Sequence, residues 1–280
     1  MNQKYIVVVV ITLILLGGVG GWFLLNSEKP LKEKLQITST QTPTPEVSVM
    51  EKPDEESANK ASKIVIPKAD SLNYDPVINP SDFVSKVDNK YFSLEPGKTL
   101  VYEGVEDGEP VRQEVTVTNE AKEILGVKVV VVRDKVFIDS ELAEDTKDWY
   151  AQDKDGNVWY FGEDTAEYDE GKVVSRAGSW EAGVKGAKPG VIMTVDPKVG
   201  DSWRQEYFKG EAEDAAEVLS VNETVKVKAG TFKNCVKTKD WNALEPNISE
   251  NKYYCAGNVV LSVGVQGSSD KVELVTSSIK

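Results

Sequence analysis

From Asp82 onward the large apolar residues fall at every second position, in short runs broken by turn residues, and that period admits strands and little else. Leu100-Val101-Tyr102-Glu103, the stretches 111–118 and 127–132, Val136-Phe137-Ile138, Trp149-Tyr150-Ala151 and Val158-Trp159-Tyr160-Phe161 are rich in the β-branched and aromatic residues that suit a half-buried pleated surface. Asp107-Gly108, Asp155-Gly156 and Glu170-Gly171 sit between such runs, where a two-residue hairpin turn asks for positive φ. Further strands follow at 173–175, 203–208, 217–221, 225–227, 232–241, 252–255, 259–265 and 272–276, with helix confined to short pieces at 81–87 and 211–217. The fold class read from this pattern is mainly β: one antiparallel curved sheet, closed into a half-barrel or folded into a sandwich, with few short helices.

The chain opens differently. An apolar run from Tyr5 to Leu25 reaches the length of about 20 residues that crosses a bilayer. Small residues at Val19-Gly20-Gly21 allow a cleavable signal peptide as the competing reading, but Trp22-Phe23-Leu24-Leu25 continue the run beyond what a signal peptide needs. Residues 1–27 are therefore expected to be a single transmembrane signal anchor. Charge bias is equivocal, with Lys4 on one side of the run and Lys29, Lys32 and Lys34 on the other. A very short N-terminal tail before a long soluble region nevertheless predicts the N-terminus inside and the rest outside the cytoplasm, in a bacterial cell membrane. Gly17 and Gly21 have the spacing that lets two such helices approach closely. Residues 28–75, with Thr42-Pro43-Thr44-Pro45 and Lys52-Pro53-Asp54-Glu55-Glu56, lack the large apolar residues to bury a core and read as a disordered linker. Residues 76–280 form the β-rich extracytoplasmic domain.

Cys235 and Cys255 lie on two expected strands flanking the turn-rich stretch 242–249, and a hairpin centred near Glu245 sets the two sulfurs opposite each other. An even cysteine count in an exported domain predicts a disulfide.

Composition narrows the chemistry. The chain carries 46 acidic and 33 basic side chains, and the part after position 75 holds 37 of those acids against 25 bases. Such a domain is repelled by nucleic-acid phosphates, which removes nucleic acid as a partner. There is no histidine. That excludes Ser-His-Asp and Cys-His nucleophile machinery and imidazole metal sites. No catalytic residue, metal ligand or cofactor is assigned.

Asp153-Lys154-Asp155-Gly156-Asn157 alternates oxygen ligands as a calcium loop does, but lacks the distal glutamate, and reads better as a type I′ turn. The acidic pairs Glu144-Asp145, Glu163-Asp164 and Asp169-Glu170 read as solvated turns; a carboxylate hydrolase is the alternative, although neighbours on a strand point to opposite faces. Trp149, Trp159, Trp180 and Trp203 are the candidate ligand-binding residues, as a platform for a sugar ring or an acyl chain, against the plainer role of core. Gly178, Gly183, Gly186 and Gly190 space a loop around Trp180 that reads as a lid. The function expected is a membrane-tethered, non-catalytic binding domain for an apolar or glycan ligand, with a small molecule or an envelope protein as partner. A structural module working through protein contacts is the further alternative.

The segment Asp148-Trp149-Tyr150-Ala151-Gln152-Asp153-Lys154-Asp155-Gly156-Asn157-Val158-Trp159-Tyr160-Phe161-Gly162-Glu163 resembles a family of uncharacterised bacterial exported proteins. Tyr91-Phe92-Ser93-Leu94-Glu95-Pro96-Gly97, Gly178-Ser179-Trp180 and Gly200-Asp201-Ser202-Trp203 extend the likeness. The resemblance implies an exported, membrane-anchored β-rich domain and no activity. Members of that family often have Tyr-Tyr-Ala-Pro-Gly where this chain has Tyr253-Tyr254-Cys255-Ala256-Gly257, which marks the disulfide as a local addition. More distantly, the layout is similar to the half-barrel of bacterial lipoprotein carriers.

Overall fold

A computed structural model describes residues 64–71, 73–265 and 268–279. The expected anchor over 1–27, its Gly17/Gly21 pair and the linker up to residue 63 lie outside the described residues. No helix among the described residues is long and apolar enough to cross a membrane.

The domain is almost wholly strand. A 3-10 turn at Pro80–Asp82 leads into β1 (Phe83–Val84), β2 (Val87–Asp88) and β3 (Ser93–Leu94), then the long strands β4 (Lys98–Glu106), β5 (Glu109–Ile124), β6 (Val127–Ile138), β7 (Glu141–Asp153) and β8 (Val158–Asp169). β9 (Lys172–Ser175), β10 (Trp180–Glu181), β11 (Lys188–Met193), β12 (Ser202–Arg204) and β13 (Glu206–Tyr207) are short. β14 (Asp214–Val227), β15 (Gly230–Asn242), β16 (Ser249–Cys255), β17 (Asn258–Gly264) and β18 (Lys271–Ile279) complete the order. The helices expected at 81–87 and 211–217 are absent. The first is a single 3-10 turn begun by the Asn79 side chain, and the second runs into β14, whose Asp214, Ala215 and Ala216 are all buried and pair with Asn242, Trp241 and Asp240 of β15. Asp107-Gly108 and Glu170-Gly171 do form positive-φ hairpin turns.

Sixteen strands share one antiparallel sheet, ordered β12-β14-β15-β16-β17-β18-β4-β5-β6-β7-β8-β11-β13, with β1, β9 and β10 attached at its side. Its two ends are neighbours in sequence. β12 bonds to β14 and β13 bonds to β11, so the segment 202–207 reaches both margins and the sheet is nearly closed. The sequence pattern predicted one strand here. Gln205 splits it, its amide turning to the Asp214 carbonyl at 2.8 Å, and the two halves find different partners.

One register row fixes which face is internal. Val218, Thr238, Lys252, Ser262, Val272, Gly104, Val111 and Ile138 are cross-strand neighbours in turn, and six of the eight are buried. A second row, Leu100, Val115, Asp134, Thr146 and Thr165, continues the same face through β4 to β8. Tyr102, Tyr150, Tyr160 and Tyr254 fill the space between the rows.

The hairpin of β15 and β16 places Val236 opposite Tyr254, and the next pair outward is Cys235 and Cys255, bonded with Cα atoms 4.6 Å apart. Beyond them β15 parts from β16 and continues to the 228–229 turn paired with β14, so the bond ties β16 to the middle of the β14–β15 hairpin. Closing a loop of this length stabilises by about 3 kcal/mol in the chain-entropy picture. Reduction is expected to lower the urea midpoint accordingly, and an unchanged midpoint after complete reduction would contradict that role.

Candidate functional site

The internal face is where the charge accumulates. Asp134, Asp148, Glu163, Glu206, Asp240 and Glu250 are all buried there, and Lys252 is the buried cation set among them. Asp148 and Glu163 are direct cross-strand neighbours. The Tyr160 hydroxyl lies 2.7 Å from Asp148 Oδ1 and 3.0 Å from Glu163 Oε2. The hydroxyl donates toward both carboxyls, with the shorter contact to Asp148. Burial pushes the Glu163 carboxyl well above its ordinary range, with Glu206 and Asp148 adding to the rise and the Tyr160 hydroxyl opposing it. Asp148 is pushed up to about 7 by burial, against the pull of the Tyr160 and Tyr150 hydroxyls.

The others follow this pattern. Glu206 is raised by burial to about 8, although the Trp180 indole donates to its Oε2 at 2.7 Å. Asp134, which accepts from Gln113 Nε2 at 2.6 Å, is raised well above its ordinary value by burial and by Asp148 and Glu144. Glu106, near one end of the face, is raised to about 9 by burial and by Glu250. Lys252 behaves oppositely to an isolated buried amine. Burial works to lower it, but Glu250 and Asp240 outweigh that and the net shift is upward. The interior is thus a set of largely neutral carboxyls around one ion cluster.

The sequence placed two of these acids wrongly. Glu144-Asp145 and Glu163-Asp164 are not solvated turns but mid-strand pairs, each with one member inside and one outside. Glu144 and Glu163 are buried, whereas Asp145 meets Arg133 and Asp164 meets Arg176 on the outside. The signal available was the spacing Glu144-Thr146-Asp148, three polar residues sharing one strand face.

All four candidate tryptophans are buried, but the structure divides them between faces. Trp149 is opposite Gly162 and Trp159 opposite Ala151, on the outer face, where Lys122 Nζ lies 3.5 Å from the Trp149 ring centre and Phe83 meets Trp159 edge-on. Trp180 is opposite Glu163 and Trp203 opposite Ala216, so these two face inward. Trp180 also meets Tyr160 edge-on, with centroids 5.4 Å apart. That contact and its bond to Glu206 hold down the loop read as a lid.

Asp153-Lys154-Asp155-Gly156-Asn157 is a turn of another type than expected. Gly156 has φ 94 while Asp155 is not in the left-handed region, so a longer turn replaces type I′. Asp153 organises it, accepting from the Asn157 amide at 2.9 Å, from Asn157 Nδ2 at 2.8 Å and from Trp159 Nε1 at 2.8 Å. Those bonds occupy the oxygens a calcium ion would need.

An open cleft of about 640 Å³ lies on the outer face, lined by Glu103, Arg112, Ser140, Lys228, Lys271 and Glu273 among others. β4, β5 and β18 form its floor. The tip of the β14–β15 hairpin forms one wall, held where the Lys228 amide donates to Glu273 Oε2 at 3.1 Å and the Ala229 amide to the Leu274 carbonyl at 3.0 Å. Lys228 Nζ reaches Glu103 at 3.0 Å, and Arg112 approaches the same carboxylate at 3.7 Å. These pairs are solvent-exposed and weak, so their groups are free to exchange partners.

No protein-family model, curated protein or solved structure matches the chain.

Proposed function

We propose that this chain is a membrane-tethered, extracytoplasmic binding domain of a bacterial envelope, and that it takes a hydroxyl-rich saccharide in the outer cleft. The carrying observation is the composition of that cleft: Arg112, Lys228 and Lys271 as donors interleaved with Glu103 and Glu273 as acceptors, in a space of small-ligand size. Sugars are recognised by such donors and acceptors set beside apolar surface, which Val105 and Pro110 supply here. On the internal face the tyrosines and carboxyls are buried. The tether rests on the apolar run at 5–25, and the external setting on the Cys235–Cys255 bond, which suits an oxidising compartment. A carboxylate hydrolase is less well supported, because the cross-strand acid pair Asp148 and Glu163 is buried against Tyr160.

The test is a titration of the protein with envelope oligosaccharides, followed by amide chemical shifts. Shifts are expected at Val105, Arg112 and Glu273. A charge-assisted hydrogen bond contributes roughly 1.5–3 kcal/mol, so Arg112→Ala and Lys271→Ala should each weaken binding at least about tenfold. Unaltered affinity in both variants, or no shift with any saccharide, overturns the proposal.

One observation favours the protein-contact reading as second. β9 is bonded to β8 alone among the described residues, and its Val173 and Val174 are 47% and 60% exposed. Such an edge is a template for an added strand.

A further inference from the structure

We propose that Lys252 and Asp240 become joined by an intramolecular amide bond, formed by the protein itself with Glu250 carrying the protons. The proposal is independent of the ligand reading and rests on the cluster geometry. Lys252 Nζ lies 3.0 Å from Glu250 Oε1 and 3.4 Å from Asp240 Oδ2, and the three side chains are between 1% and 6% exposed. Register brings them together: Asp240 is opposite Glu250, and Lys252 is opposite Thr238, two residues away on the same face. An amine and two carboxyls are therefore held in contact where water is excluded.

Proximity favours condensation. Fixing the reactants in near-attack geometry replaces a bimolecular encounter, an advantage that reaches effective molarities of about 10⁵–10⁸ M in well-oriented systems. Glu250 and Asp240 outweigh burial and hold Lys252 charged, so the amine is freed only by proton transfer to Glu250.

The two carboxyls are not equivalent. Asp240 Oδ1 accepts from Thr238 Oγ1 at 2.5 Å and its Oδ2 from Gln205 Nε2 at 3.1 Å. That pair of donors polarises the Asp240 carboxyl and stabilises the oxyanion that forms when an amine attacks Cγ. Glu250 accepts from the Ser262 hydroxyl at its other oxygen and has the shorter contact to the amine, which suits it to take and return protons. Glu250 also shares a strand with Lys252, two residues away, so an amide to it ties no two strands together.

The step balances. The ammonium gives a proton to Glu250, and the freed amine attacks Cγ of Asp240. The Nζ–Cγ bond forms as the Cγ–Oδ2 bond breaks, and Oδ2 leaves as water with two of the three original ammonium protons. The third stays on the amide nitrogen, and Glu250 ends as it began. The positive charge of Lys252 and the negative charge of Asp240 disappear together, and no oxidant or cofactor is needed.

The deciding experiment is peptide mapping by mass spectrometry of the full chain, reduced and denatured before digestion. The expected result is one branched peptide joining the segments that carry Lys252 and Asp240, lighter by one water than the two linear peptides together. Linear peptides of full mass overturn the proposal. So does a water loss confined to a linear Asp240 peptide, or a branch from the other buried amine, Lys98, to its partner Asn258 with loss of ammonia. Glu250→Gln keeps the shape and removes the carrier, and is expected to slow formation by roughly 10²–10⁴-fold. A branch formed at the original rate in that variant overturns the role of Glu250.

Discussion

Thermal melts across a pH series should show the domain most stable in acid and progressively weaker as pH rises toward 9, the reverse of an ordinary acid-labile protein. The sign follows from the direction of the shifts. Asp148, Glu206 and Glu106 have folded values raised to about 7, 8 and 9, and Asp134 and Glu163 are also raised. Each group's contribution is fully present below its unfolded value near 4 and is lost as pH rises through the folded one. Asp148 alone represents on the order of 4 kcal/mol at about 1.4 kcal/mol per unit, and because the acids face one another they ionise as a set. Asp148 faces Tyr150, Tyr160 and Glu163, Glu163 faces Glu206 and Glu144, and Glu206 faces Lys252. Lys98, lowered by burial, pulls the other way but is one group against these five acids. Glu163→Gln retains an acceptor for Tyr160 while removing the ionisation, so its melting midpoint should fall less between pH 7 and 9 at little loss near pH 5. A midpoint that is flat with pH, or highest at alkaline pH, would sink the account of the interior.

Gly190→Ala is expected to be among the most damaging single methyl additions on the sheet, alongside Gly104→Ala, whose Cβ would lie 1.9 Å from the Lys271 carbonyl oxygen. Gly190 sits on β11 opposite Tyr160, at the place where the segment 202–207 comes closest. A Cβ there would lie 2.2 Å from both the carbonyl carbon and oxygen of Gln205 and 2.6 Å from the Glu206 nitrogen. All three are backbone atoms, so no side chain can swing aside, and relief requires the segment to leave its seat. The cost should exceed about 4 kcal/mol, the range reserved for broken backbone packing. The Trp180–Glu206 bond and the inward seat of Trp203 depend on that segment, so tryptophan emission should shift to the red. Gly108→Ala is the control: its φ of +85 makes alanine strained, but nothing lies within 4 Å. That change should cost about 1–2 kcal/mol and leave the emission unchanged. Equal losses in the two variants would remove the special role of the seam.

Most strands could be read from the sequence because one of their faces is apolar. β4, β5 and β6 bury Leu100, Tyr102, Val115, Val117 and Val132 at alternate positions, and the period shows it. The Cys235–Cys255 pairing was readable for a related reason, since the turn near Glu245 fixed the register. β7 defeats the same logic. From Glu141 to Asp148 it is largely polar on both faces, so hydrophobic period cannot tell that Glu144, Thr146 and Asp148 turn inward. Aromatic size misleads too, because Trp149 and Trp159 are as buried as Trp180 and Trp203 but on the opposite side of the sheet. Closure was hidden at a single residue: nothing in Ser202-Trp203-Arg204-Gln205-Glu206-Tyr207 announces that its halves bond to different margins. The outer cleft was equally out of reach, since Arg112, Lys228 and Lys271 are far apart in the chain and meet only through the folded-back hairpin tip.

The pairing of β4 with β18, Lys98 against Ile279, sets the order in which this protein can be made. The first long strand emerges from the ribosome with a partner ready on one side, β5, and must wait on the other for the last nine residues of the sheet. Until they arrive, the incomplete chain exposes an unpaired margin at each end and holds acids that only the finished interior can neutralise. Local hairpins form early, but the joining steps carry the loop-closure cost of nearly the whole domain, which is the circumstance in which β proteins fold slowly and associate wrongly. Assembly is therefore gated by β18, and a chain that lacks it loses the closure as well as the strand.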